Sequence, residues 1–64
     1  MIYPYYVAVD GLGRPGPAAS KRSIAIRAAA RTGAKVFRVE APNAFLAQRK
    51  ALQAWLAARG TMAH

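Results

Sequence analysis

The sequence predicts a small α+β domain of element order β-α-β-α: a two-stranded sheet with two helices packed on one face, with dimerisation as the route to a four-stranded sheet. Three observations lead there. Two short runs, residues 2–9 and 34–40, are rich in the β-branched and aromatic residues that suit a pleated surface. Two longer stretches, residues 20–32 and 42–60, carry apolar residues at helical spacing between capping residues. A chain of 64 residues has room for one domain, expected over residues 1–60 with a frayed tail at 61–64.

The first strand holds three tyrosines, two valines and an isoleucine. Alternation puts Tyr3, Tyr5, Val7 and Val9 on one side and Ile2, Tyr6 and Ala8 on the other. Pro4 has no N–H, which places the start of this strand on an edge or ahead of the pairing. Residues 10–19 contain three glycines and two prolines and read as a loop, with a short extended piece at 15–18 able to fold back beside the strand.

The first helix is expected to start on Ser20 as N-cap and to stop at Gly33. Ala25, Ile26, Ala29 and Ala30 form its apolar face, and Lys21, Arg27 and Arg31 its polar one. The second strand sets Phe37 and Val39 against Val36 and Arg38. Pro42 suits the first position of the second helix, and Gly60 its end. Parallel strands would give a right-handed crossover. Tyr5, Val7, Val9, Phe37 and Val39 would then meet Ile26, Phe45, Leu52, Trp55 and Leu56 in the core. Such a sheet leaves one face and its edges open, and two strands alone are seldom stable. Cysteine is absent and the only histidine is His64, so disulfides and a structural metal are not expected to supplement the core, which leaves very good packing or self-association.

Ten Lys plus Arg face two acids, a net charge of +8. An imbalance of this size attracts nucleic acid, anionic membrane or acidic proteins. No apolar run reaches the length of a membrane span, and the N-terminus lacks the pattern of a signal peptide, so a cytoplasmic location is expected. Alanine is a quarter of the chain and arginine outnumbers lysine seven to three, a bias that suits a high-GC bacterium or one of its mobile elements.

Residues 11–16 read Gly-Leu-Gly-Arg-Pro-Gly and match the dinucleotide-binding pattern G-x-G-x-x-G, with Glu40 at the end of the next strand. Against this, the chain ends after one βαβα unit, and Pro15 and Pro17 keep the loop extended past the third glycine. The glycines are read as serving a turn.

Lys21 and Arg22 fall in the first helical turn, with Arg14 just before it. Cations there oppose the helix dipole, each at a cost of about 0.3–1 kcal/mol. An anion bound by the free amides, Ser20, Lys21 and Arg22 would resolve the conflict. The competing reading is that these side chains simply bend into solvent. Arg27, Arg31, Lys35 and Arg38 extend the patch, while Arg49, Lys50 and Arg59 belong to the second helix. Tyr3 and Tyr6, beside Arg38 on an open sheet face, would either stack bases or sit in the core or a dimer interface.

A positioned acid, base or nucleophile is missing: Asp10 and Glu40 stand apart, and Asp10 suits a turn. The sequence therefore predicts a non-catalytic binding protein without cofactor, metal or small-molecule substrate. The expected partner is the phosphate backbone of nucleic acid. The alternative is an inhibitor or adaptor that docks on an acidic protein through its sheet edge or basic face.

Overall fold

The computed structural model describes the backbone of residues 1–62 and the side chains of residues 1–58. It contains β1 (Tyr3–Val9), α1 (Arg22–Thr32), β2 (Lys35–Ala41) and α2 (Ala44–Met62), the α+β order expected. Helix α2 continues through Gly60, where the sequence predicts a stop. His64, at the end of the expected frayed tail, lies outside the described residues.

The strands are adjacent and antiparallel, with Val7 opposite Phe37 and Val9 opposite Lys35, so the right-handed crossover that parallel strands would need does not arise. The cause lies in the loop. After the turn at residues 10–14, the 15–19 segment runs back along the far edge of β1, bridging Val9 to Pro15 and Tyr6 to Ala19. The Tyr6 N–H donates to the Ala19 carbonyl at 2.7 Å, and the Ala19 N–H donates in return at 2.9 Å. This extra pass uses up one change of direction. Helix α1 then runs alongside β1, and β2 must return antiparallel to it. Pro4 pairs in register with Glu40. Its nitrogen faces away from β2, on the side of Tyr6, so the missing donor breaks no ladder bond.

The helices lie on opposite faces of the sheet, not on one. Val7, Val9, Ala41, Ala47, Ala51 and Trp55 form the core under α2, with Tyr5, Phe37 and Val39 packed against it. On the other face α1 packs on β1 with Ala25 and Ala29 buried, as Ala8 is. No Cα of α1 comes within 8 Å of one of α2 among the described residues. No sheet face is therefore left open.

Alanine, rather than bulk, sets this packing. Ala47, Ala51 and Trp55 recur every fourth residue along α2, and both alanines are fully buried. That close approach leaves Phe45 and Leu56 exposed, and Ile26 lies on α1 across the sheet; these three were expected in the core. The helix ends follow simple chemistry. Asn43 caps α2, its Oδ1 accepting the Leu46 N–H at 2.9 Å, which puts Pro42 just outside the helix. Gly33 closes α1 in the left-handed region at φ 70°, as its position predicts.

Candidate functional site

The glycine loop is built around Asp10. Its carboxylate accepts the N–H groups of Leu12 and Arg14, each at 2.9 Å, and pairs with the Arg14 guanidinium at 3.4 Å. The Arg14 N–H is the largest influence and lowers the Asp10 pKa; desolvation comes next and raises it, and the Leu12 N–H and the Arg14 charge lower it further, so that it lies below the usual 3.8. Gly13 donates to the Asp10 carbonyl and Gly16 to that of Ala8, so the amides of Leu12, Gly13, Arg14 and Gly16 are all spent inside the fold. Gly13 stands at φ 80° above the Trp55 ring, where a Cβ would lie 2.9 Å from Cζ3. Gln48 of α2 donates to the Gly16 carbonyl at 2.7 Å. This is a structural turn rather than a phosphate cradle, and Asp10 shapes it as the sequence predicts. The anchor from Gln48 carries no local sequence signal.

The start of α1 differs from expectation by one residue. Lys21 is the N-cap and makes no side-chain capping bond, while Ser20 stays exposed ahead of it. Ala19 is held to Tyr6 through both its N–H and its carbonyl, which keeps Ser20 in the end of the extended segment. Arg22 becomes the first helical residue, and no acid lies in the first turn. The unfavourable pairing of cations with the helix dipole is therefore present in the fold.

The cations divide by sheet face. Lys21, Arg22, Arg27 and Arg31 are exposed on α1. Arg22 turns towards β2 and shares a cleft of about 320 Å³ with Tyr6, Ile26, Val36 and Arg38. Arg31 lies on the opposite flank, where with Arg14 it lines a cleft of about 430 Å³ against the 15–17 segment. Arg38 pairs with Glu40 at 3.5 Å. Lys35 does not join this group: its register opposite Val9 places it on the α2 face. That face also carries Arg49 and Lys50, and the Arg59 side chain lies outside those described.

Of the two readings of Tyr3 and Tyr6, stacking on one open sheet face does not fit the fold. Tyr3 and Tyr6 sit on opposite faces of β1, and each face is covered by a helix. Tyr6 is half-buried beside Arg22 and Arg38, whereas the Tyr3 hydroxyl donates to Met1 Sδ at 3.3 Å. Sequence alternation alone already separates these two residues.

The chain's two side-chain carboxylates, Asp10 and Glu40, are paired with Arg14 and Arg38. No salt bridge reaches Lys21, Arg22, Arg27 or Arg31 among the described residues. No helix among them is long and apolar enough to cross a membrane. Comparison with family models, curated proteins and solved structures finds no match.

Proposed function

We propose that the chain is a cytoplasmic, non-catalytic module that docks the α1 side of its sheet against the phosphate backbone of nucleic acid. One observation carries this reading: Lys21, Arg22, Arg27 and Arg31 lie along one exposed helix and its N-cap with no carboxylate paired to them among the described residues, where Asp10 and Glu40 are spent on Arg14 and Arg38. A concentrated positive face of this kind raises the local concentration of polyanions and steers their approach. Arg14 and Arg38 flank it, and each could exchange its carboxylate for a phosphate. The two unbonded amides at the start of α1, those of Arg22 and Ser23, add donors at the positive end of the helix.

The test is the salt dependence of binding. Four phosphates neutralised on duplex DNA give a log–log slope of affinity against salt of about −3.6. Replacing Arg27 and Arg31 by Gln should halve it to about −1.8 and leave any sequence preference unchanged. Fluorescence anisotropy with labelled duplex DNA and single-stranded RNA reads both. Absence of binding at about 50 mM salt, or a slope indifferent to the two substitutions, would sink the proposal. A partner retained at high salt without nucleic acid would instead indicate an acidic protein surface.

A further inference from the structure

The two edges of the sheet are unlike. One is closed by the 15–19 segment, in which Pro15 and Pro17 have no N–H to offer a further strand. The other is β2 itself. Tyr6 exchanges hydrogen bonds with Ala19, and Ala8 accepts one from Gly16. The even residues of β1 thus turn their main chain to the 15–19 segment and the odd ones to β2. Through the register, Lys35, Phe37, Val39 and Ala41 face β1, while the main-chain groups of Val36, Arg38 and Glu40 point out of the sheet. Among the described residues they form no backbone hydrogen bond to another element. The Glu40 carbonyl accepts Lys50 Nζ at 2.6 Å, which leaves its second lone pair.

We infer that this edge pairs with the β2 edge of a second copy, antiparallel about a two-fold axis through Val39, so that Arg38 lies opposite Glu40 of the other chain and Glu40 opposite its Arg38. The occupant and register follow from charge. A cation and an anion sit two residues apart at outward-facing positions, Arg38 and Glu40, their side chains half-exposed and, among the described residues, paired only with one another, at 3.5 Å. A two-fold between them converts that weak pair into two opposite-charge pairs directly across the strands, the favourable arrangement in a ladder. Moving the axis to Arg38 sets like charges face to face, and moving it to Phe37 leaves Arg38 opposite Val36.

The layers fit as well. Helix α2 touches both strands. Its counterpart would therefore lie two strand spacings away, about 9.6 Å, within the usual distance of packed helices. The axis is perpendicular to the sheet, so both α1 helices fall on one side and the cationic face is doubled. The dimer itself does not depend on the nucleic-acid reading.

The experiment uses the full chain at physiological salt, which screens the mutual repulsion of two +8 protomers beyond about 8 Å. Light scattering should give twice the 6.9 kDa protomer mass at high micromolar concentration. Arg38→Glu and Glu40→Arg should each return it to one protomer, and the double exchange should restore the dimer. Both side chains are largely exposed, and circular dichroism checks that each variant is folded. The chain has no cysteine, so single substitutions report register. Val39→Cys should oxidise to a covalent dimer, its Cα atoms being about 4.5 Å apart in a non-hydrogen-bonded pair. Arg38→Cys and Phe37→Cys mark the two competing axes. A protomer mass at every concentration overturns the inference. So does a dimer untouched by either single exchange, or one that cross-links through position 37 or 38 instead of 39.

Discussion

Substitution of Gly13 by alanine separates a structural glycine loop from one built to bind phosphate. Gly13 lies at φ 80°, and an added Cβ would stand 2.9 Å from Trp55 Cζ3 and 3.1 Å from Cη2. The left-handed conformation costs an L-residue about 1–2 kcal/mol. Crowding a buried ring adds about 1–3 kcal/mol, because Trp55 is only 9% exposed and its ring cannot swing clear. The expected loss is about 2–5 kcal/mol, a large share of the roughly 3–10 kcal/mol that a chain of this length commands. Two neighbours calibrate it. Gly33→Ala meets the backbone cost alone, since φ is 70° and nothing lies within 4 Å; about 1–2 kcal/mol should be lost. Gly11→Ala meets neither a positive φ nor a neighbouring atom, and should be neutral or slightly stabilising. Trp55 is the only tryptophan, so its fluorescence follows thermal unfolding directly. At about 4–8 °C per kcal/mol, the Gly13 variant should melt at least about 8 °C lower and the Gly11 variant unchanged. Equal losses at Gly13 and Gly33 would show that the Trp55 contact contributes nothing, and a large loss at Gly11 would refute the account of the loop.

Asp10 should make the fold sensitive to acid. Its folded pKa lies below its usual 3.8, so the associated stability is present above that value and is lost as pH falls through the depressed folded pKa. Asp10→Asn should flatten this acid limb in melts monitored by circular dichroism, and an unchanged limb would refute its assignment to Asp10. Asn43→Ala removes the cap on the Leu46 amide and should cost about 1 kcal/mol, seen as a fall of about 4–8 °C in Tm. Asn43→Asp should retain most of that stability, because an aspartate accepts the same bond.

The elements were legible where the signal is local. The strand composition of β1 and β2, the stop at Gly33 and the turn at Asp10 each follow from a few adjacent residues. Orientation was not legible, because it turned on the 15–19 segment, whose prolines and glycine give no strand period although Ala19 pairs fully with Tyr6. Reading that segment as a loop left one pass of the chain uncounted, and with it the direction of β2 stayed open. The core was misjudged for a related reason. Bulky residues were assigned inside, yet Phe45 and Leu56 stay exposed, because Ala47 and Ala51 let α2 settle too close to the strands for larger neighbours to share the line. At the candidate site, the cations on α1 could be read from helical spacing. The separation of Lys35 from them required the register opposite Val9.

The same small residues that complicated the reading of the core also determine what the surface offers. Ala25 and Ala29 are the only buried residues of α1. A helix held by so narrow a line exposes the rest of its circumference, and here that circumference carries Arg22, Arg27 and Arg31. Clefts remain on both its flanks because alanine leaves the space beside it unfilled. A larger residue at position 25 or 29 would bury more apolar surface, but it would lift α1 from β1 and close neither flank. The packing thus trades buried apolar area for a raised, cationic ridge close to the sheet. A domain this small buries only about 60% of its unfolded surface, so the sacrifice makes physical sense if the missing stabilisation comes from outside the protomer: from a second β2 edge, from a polyanion on the ridge, or from both at once.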